Sequence, residues 1–157
     1  MLLKIEKIRL RERRTGDRSM DALTLKQAND LIRIAMEKAA SDFGRPVCVS
    51  ICDGAGFLLA FQRMEGAPLR SIAISEGKAY SAARMQVSTD ALLQRLEREN
   101  IPASYFCDAK ITALPGGSPL KNASGSIIGA AGISGLTSAE DQEIADFLAT
   151  HFIQMAG

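Results

Sequence analysis

Three groups of residues in this chain have side chains suited to binding or transforming a small molecule. The first is residues 63–68, where an arginine at a predicted strand end precedes the start of a predicted helix. An arginine there can hold a carboxylate through two parallel hydrogen bonds, and the free N–H groups of the helix favour the same anion. Arg63, Met64 and Glu65 are therefore candidate ligand-binding residues. The alternative is a surface ion pair between Arg63 and Glu65.

The second group lies on a predicted helix that is rich in small residues. Glu76 and Tyr80 are four residues apart and share one face of this helix, whereas Lys78 points elsewhere. A buried glutamate or lysine would have a shifted pKa and could transfer protons. Glu76 is thus a candidate catalytic base, as is Asp53 in a predicted turn, and Lys78 is a candidate ligand-binding residue. The alternative is structural pairing.

The third group is the sequence Pro-Gly-Gly-Ser-Pro at residues 115–119. Consecutive glycine N–H groups can form an anion-binding nest, or let a flat ligand lie against the backbone. Gly116, Gly117 and Pro119 are therefore candidate ligand-binding residues. A plain turn is the alternative.

Other chemistries have little support. The only histidine, His151, falls on the apolar stripe of the last predicted helix, so no histidine pair is available for a metal. Cys48 and Cys52 lie about 13 Å apart along a predicted strand, too far to share one zinc ion, and are interpreted as buried apolar residues. Neither a P-loop nor a dinucleotide-binding glycine pattern is present. We expect no metal site.

Composition narrows the class of protein. The chain has 157 residues and a formal net charge of +1, which fits one domain without a global field for nucleic acid or anionic membrane. Aromatic residues are 5% and tryptophan is absent, which disfavours stacking on single-stranded nucleic acid. No signal-peptide core or membrane-length apolar run occurs, so we expect a cytoplasmic protein without nucleic-acid or membrane partners.

The pattern along the chain predicts alternating helices and strands. Capping boxes at Thr24–Gln27 and Thr137–Glu140 predict the starts of the first and last helices. Further helices are expected over 68–85 and 90–99, and strands over 46–52, 57–63 and 126–134, with short strands near 110–113 and 120–122. This order predicts a mostly antiparallel sheet with helices on both faces.

Several ordered motifs together resemble the GlcG/HbpS-like family, which includes the C-terminal domain of PduO-type proteins. The resemblance covers about residues 22–153. Its motifs are Asp-Gly-Ala-Gly at 53–56, Phe-Gln-Arg-Met-Glu-Gly-Ala at 61–67, Lys-Ala-Tyr-Ser-Ala at 78–82, Leu-Pro-Gly-Gly-Ser-Pro-Leu at 114–120, Ile-Gly-Ala-Ala-Gly-Ile-Ser-Gly at 128–135 and Glu-Asp-Gln at 140–142.

The resemblance implies a profilin-like three-layer α/β/α fold around a five-stranded, mostly antiparallel sheet. It implies a homo-oligomer, from a dimer up to an octamer, and a small organic ligand or tetrapyrrole, with haem as the possible cofactor. It also makes residues 1–19, with seven basic and three acidic side chains, an N-terminal basic extension ahead of a domain at 20–157. The first predicted helix lacks the histidine that some haem-binding relatives use. Haem ligation would therefore need Met64, Tyr80, a cysteine, a hydroxyl group or His151.

Three functional hypotheses remain open from the sequence. In the first, the protein binds a ligand between residues 63–68, the Lys78 helix and the Gly116–Gly117 pair. In the second, it is a hydrolase or lyase-like enzyme: Arg63 binds a small carboxylate, the glycines stabilise an oxyanion, and Glu76 or Asp53 is the base. In the third, it is a non-catalytic accessory subunit of a catabolic pathway.

Overall fold

Four helices and four strands follow one another along residues 22–155, the part of the chain that the computed structural model describes. The helices are α1 (Leu25–Lys38), which continues into a π-helical turn (Ala39–Phe43), α2 (Ser71–Met85), α3 (Thr89–Glu99) and α4 (Ser138–Met155). The strands are β1 (Cys48–Asp53), β2 (Leu58–Arg63), β3 (Gly117–Lys121) and β4 (Ile127–Ser134). A short 3₁₀ turn lies at Ala103–Phe106.

The strands form one antiparallel sheet in the order β2-β1-β4-β3. Strand β1 is central, with Cys48 paired to Arg63 of β2 on one side and to Ser134 of β4 on the other. Gly117 of β3 pairs with Gly132 of β4. The register therefore brings the end of β2, the start of β3 and the end of β4 to the same end of the sheet.

Both predicted capping boxes are confirmed. The Thr24 hydroxyl accepts a hydrogen bond from the Gln27 N–H at 3.1 Å, and the Gln27 amide oxygen accepts the Thr24 N–H at 3.0 Å. Thr137 and Glu140 exchange the same pair of hydrogen bonds at the start of α4. Each box satisfies N–H groups that the helix itself leaves without partners, which fixes where the two helices begin.

Helices cover both faces of the sheet, as predicted. Helices α1 and α4 pack on the face that carries Val49, Ile51 and Ile133 in the larger core cluster. Helix α2 packs on the opposite face, where its Ala79, Ala82 and Ala83 contact Cys52 and Ala130. Small side chains on both surfaces let α2 lie close to the sheet, which explains why its composition is dominated by alanine, serine and glycine.

Two expectations about strands need correction. The described residues form four strands, so the fifth strand implied by the resemblance is not shown, and residues 110–113 are not in a strand. The Thr112 N–H donates instead to the Ser81 hydroxyl at 2.8 Å, which binds this segment to helix α2 rather than to the sheet. Residues 117–119, expected in a loop, form the start of β3.

Three further expectations concern the cysteines, membrane spans and the N-terminal segment. Cys48 and Cys52 are buried and unpaired, which confirms their interpretation as small core residues. No helix in the described part of the chain is both long and apolar enough to cross a membrane. The predicted basic extension at residues 1–19 lies outside the described residues.

Candidate functional site

Lys78 is the most deeply buried charged residue among the predicted candidates. Its side chain is 1% exposed and its Nζ donates to Asp141 Oδ2 at 2.9 Å and to the Ile133 carbonyl at 2.8 Å. Helix α2 provides the lysine and the first turn of α4 provides the aspartate, so the ion pair joins helices from opposite faces of the sheet. Asp141 Oδ1 also accepts the Leu136 N–H at 3.1 Å.

The adjacent residues Gly116 and Gly117 leave room for the ion pair between Lys78 and Asp141. A Cβ atom on Gly117 would lie 2.5 Å from the Lys78 carbonyl oxygen, and one on Gly116 would lie 2.7 Å from Lys78 Nζ and 2.9 Å from Asp141 Cβ. Gly116 also has a φ of +130°, a conformation that other residues rarely adopt. The glycines therefore give room to a buried ion pair.

The N–H groups of these glycines already have partners within the protein. The Gly116 N–H donates to Gln142 Oε1 at 2.6 Å, and the Gly117 N–H donates to the Thr89 hydroxyl at 2.9 Å. The Gln142 amide also donates to Ser118 Oγ at 2.9 Å and to Asp146 Oδ1 at 2.8 Å. Neither glycine N–H is left free for an oxyanion in this arrangement.

Burial sets the protonation tendencies of the ion pair. Removal from water lowers the pKa of Lys78, an effect that the Asp141 carboxylate opposes. Burial likewise raises the pKa of Asp141, and Lys78 opposes that shift. Each partner thus compensates the cost of burying the other, as in a structural ion pair.

The predicted Arg63 segment lies at the same end of the sheet as the glycines but does not meet them. Arg63 and Glu65 are exposed, and strands β1 and β4 stand between β2 and β3, a separation of about 14 Å at the usual strand spacing. Met64 is half-buried, and its sulfur accepts the Val47 N–H at 3.4 Å. The structure therefore does not bring residues 63–65, Lys78 and the glycine pair into one cleft.

The Asp53 carboxylate accepts hydrogen bonds from the backbone of its own turn. Its Oδ1 accepts the N–H groups of Ala55 at 2.9 Å and of Phe57 at 3.0 Å, which closes the turn between β1 and β2. One of the two carboxylate oxygens of Asp53 thus has a structural role in the turn.

A mostly apolar cleft lies on the outer side of helix α2, which we call the Tyr80 cleft. Its volume is about 450 Å³, within the range of small-molecule sites. The β1–β2 turn, helix α2 and the segment 109–114 form its walls. Its lining residues are Gly56, Phe57, Leu58, Ala73, Ile74, Glu76, Gly77, Tyr80, Ala109, Lys110, Ile111, Thr112 and Leu114.

Tyr80 has several polar neighbours, of which Lys110 lines the cleft, whereas Arg84 and Asp108 are not among its lining residues. The Tyr80 hydroxyl donates to Asp108 Oδ2 at 2.6 Å, and the cations of Arg84 and Lys110 lie 5.6 Å and 5.4 Å from the centre of the Tyr80 ring. The hydrogen bond raises the pKa of Tyr80 and lowers the pKa of Asp108. Of the predicted candidates, Glu76 lines this cleft, and its side chain is exposed.

The residues of the Tyr80 cleft fit a flat apolar group with acidic substituents. Aliphatic and aromatic side chains can cover its faces, Lys110 and Arg84 can pair with its acids, and Tyr80 offers an oxygen that can bind iron. His151 stacks on Phe147 with ring centres 6.0 Å apart and does not line this cleft. Across residues 22–155, no three His, Cys, Asp or Glu side chains cluster as a metal site.

A second cleft of about 460 Å³ lies beside the edge strand β3, and we call it the β3 cleft. Pro119, the last of the predicted candidates, lines it together with Lys121, Asp146 and residues of α3 and α4, including Ala91 and Thr150. The residues that line this cleft lie on edge strand β3 and on helices α3 and α4. They do not include Lys78 or Gly117.

Two partners were missed in the sequence. Asp141 belongs to the Glu-Asp-Gln motif at 140–142, but no local pattern identifies it as the partner that a buried lysine needs. Asp108 carried no signal, because it contacts Tyr80 across 28 positions of sequence without a repeating pattern.

The chain is similar to known proteins in sequence and in structure. The family model described as haem-degrading protein HbpS-like matches residues 23–149. A 15.0 kDa protein from the dhaT–dhaS intergenic region of Citrobacter freundii is 30% identical over 130 residues, 79% of this chain and 87% of the relative.

Two solved structures are also similar. A complex of PduOC with haem superimposes with a TM-score of 0.73 at 30% identity, over 82% of this chain and 94% of that one. A double mutant of HbpS from Streptomyces reticuli gives 0.74 at 28% identity, over 83% and 86%.

Proposed function

The chain belongs to the HbpS-like family of haem-degrading proteins, and on that premise we propose that it binds haem or a related tetrapyrrole in the Tyr80 cleft. The observation that carries the proposal is the composition of the cleft. It combines a mostly apolar lining with the Tyr80 phenol and the Lys110 cation, and the cation of Arg84 lies 5.6 Å from the centre of the Tyr80 ring. The relative PduOC, 30% identical, has been solved as a haem complex.

Each part of the cleft has a role in this proposal. Ile74, Ile111 and Leu114 cover the apolar macrocycle, which is removed from water on binding. Lys110 and Arg84 pair with the carboxylates that a tetrapyrrole carries at its edge. When bound, haem supplies an iron centre that can take axial ligands and exchange electrons.

The carboxylate-enzyme hypothesis has less support from the geometry. It requires Arg63, the glycine pair and a base around one substrate. Two strands separate Arg63 from the glycines, and both glycine N–H groups have internal partners. Binding in the Tyr80 cleft does not depend on bringing these separated residues together, so it is the function we propose.

Titration with ferric haem tests this proposal. The full chain is titrated in wild-type form and as two matched variants, Ala73→Trp and Ala91→Trp, each replacing an exposed helical alanine that lines one of the two clefts. We expect one equivalent of haem to bind the wild type with a shift of the Soret band. Ala73→Trp fills the Tyr80 cleft and should weaken binding at least tenfold, whereas Ala91→Trp fills the β3 cleft and should leave binding unchanged.

Two results would count against the proposal. Absence of saturable binding by the wild type would remove the ligand assignment altogether. Loss of binding in Ala91→Trp with normal binding in Ala73→Trp would show that the cleft is wrongly chosen.

We also propose that the protein assembles as a homo-oligomer through a second copy on edge strand β2. The two edges of the sheet differ: β3 carries Pro119 and Lys121, residues that discourage strand pairing, whereas β2 carries the apolar run Leu-Leu-Ala-Phe at 58–61. Phe57 and Leu69, which flank β2, are 69% and 73% exposed. Light scattering on the eluting protein should give a multiple of 16.8 kDa, and a monomer mass would refute this proposal.

A further inference from the structure

The Tyr80 cleft contains few side chains that can bind iron. Among its lining residues these are Tyr80, Glu76, Thr112 and Lys110. Tyrosine is the type among them that serves as an axial ligand of haem iron in proteins. Glu76 is exposed at the mouth, so water competes with any bond that its carboxylate would form.

The structure holds the Tyr80 ring firmly. The ring lies against Gly56, where a Cβ atom would be 2.9 Å from Tyr80 Cδ2, so only glycine lets the ring occupy this position. Gly56 also has a φ of +94°, which suits glycine. The hydroxyl is oriented by Asp108 Oδ2 at 2.6 Å.

From this arrangement we infer that Tyr80 supplies the axial oxygen ligand to the iron of a haem bound in this cleft. The inference rests on the proposed function and adds the residue that contacts the metal. It differs from ligation by His151, which does not line the cleft.

The proton balance of this ligation can be written from the groups present. An oxygen–iron bond would form as the Tyr80 O–H bond breaks. The proton would leave along the hydrogen bond to Asp108 and pass on to solvent, because the lowered pKa of Asp108 disfavours a protonated carboxyl group there. The iron stays ferric throughout, so no oxidant or reductant is required. The cations of Arg84 and Lys110, each within 6 Å of the ring centre, oppose the negative charge that the phenolate brings.

The chain offers a matched control, because it has two tyrosines and Tyr105 is exposed and outside the cleft. The full chain is loaded with one equivalent of ferric haem as wild type, Tyr80→Phe, Tyr105→Phe and Tyr80→His. Optical and electron paramagnetic resonance spectra are then recorded.

We expect the wild type and Tyr105→Phe to show a high-spin ferric spectrum with a phenolate-to-iron charge-transfer band. Tyr80→Phe should lose this band and bind at least tenfold more weakly, while still binding one equivalent. Tyr80→His should replace the phenolate spectrum with that of imidazole ligation, a change that a purely structural role of Tyr80 would not produce.

Two outcomes overturn the inference and leave the proposed function standing. One is stoichiometric haem binding with the same spectrum in wild type and Tyr80→Phe. The other is loss of the axial-ligand signature in a His151→Ala variant. Failure of the wild type to bind haem overturns both the inference and the proposed function.

Discussion

Lys78 Nζ lies 2.9 Å from Asp141 Oδ2, and both side chains are almost completely buried. The two residues are 63 positions apart and belong to helices on opposite faces of the sheet. The pair passes the edge of the sheet where Gly116 and Gly117 have no side chains. It therefore links all three layers of the domain at one point.

Breaking this pair should strongly destabilise the fold. Lys78→Met leaves Asp141 as a buried charge without its partner, and Asp141→Asn does the same to Lys78 while keeping an acceptor for the Leu136 N–H. Each single change should cost about 3–5 kcal/mol in the free energy of unfolding. The double variant should cost about 1–3 kcal/mol less than the sum of the two, measured by urea denaturation.

The exposed ion pair between Arg33 and Glu37 on α1 serves as the control. Glu37→Gln should leave the unfolding midpoint within experimental error, because exposed pairs contribute little. Additive effects of the Lys78 and Asp141 changes would show that the two residues stabilise the fold independently.

Two glycines near helix α2 should respond oppositely to alanine. A Cβ atom on Gly132 would lie 2.0 Å from the Ser75 carbonyl oxygen and 2.6 Å from the Ala79 nitrogen, so Gly132→Ala must push α2 off the sheet. We expect a loss of about 1–3 kcal/mol or more. A Cβ atom on Gly77, inside α2, has its nearest neighbour at 3.6 Å. Gly77→Ala should therefore stabilise the protein by about 0.5–1 kcal/mol, measured by thermal unfolding.

Equal destabilisation by both changes would contradict the close approach of α2 to β4 as the cause of the loss in Gly132→Ala. The comparison is informative because Gly132 faces α2 from strand β4, whereas Gly77 lies within α2 and has room for a methyl group.

Local signals predicted most of the fold. The boxes at Thr24 and Thr137 fixed two helix starts because capping depends on residues three positions apart. The β1–β2 turn followed from its glycines. The strand expected at 110–113 was wrong because its backbone is bound to Ser81, a partner that no local pattern reveals.

The site was harder to predict because its contacts are long-range. Lys78 was recognised as a candidate, but its role depends on whether Asp141 lies beside it, which only the packing of α4 decides. The glycine pair suggested an anion nest, yet Gln142 and Thr89 occupy its N–H groups. Tyr80 lines a cleft only because segment 109–114 lies beside helix α2, a contact that no local pattern predicts.

Deletion of residues 1–19 should leave the domain folded. Helix α1 begins with its own capping box, and Leu23 is buried against the core, so described residues cap and bury the start of this helix. We expect the thermal midpoint and the oligomer mass to be unchanged on deletion, measured by circular dichroism and light scattering. A lower midpoint or a smaller assembly would refute the interpretation of residues 1–19 as an extension.

The three cysteines should differ in their reactivity toward a thiol-labelling reagent. Burial raises the pKa of Cys52 to about 12 and also raises the pKa of Cys48, whereas Cys107 is exposed. The reactive form of a cysteine is the thiolate, and burial disfavours it by removing charge from water. An aromatic disulfide reagent should therefore label one thiol in the native protein at pH 7 and also at pH 9, below the pKa of Cys52.

Unfolding in denaturant should expose all three thiols to the same reagent. Cys107→Ser should abolish native labelling, and Cys52→Ala should leave it unchanged. Labelling of two thiols in native Cys107→Ser would show that strand β1 opens on the timescale of the reaction, against the buried position that its pairing with β2 and β4 gives it.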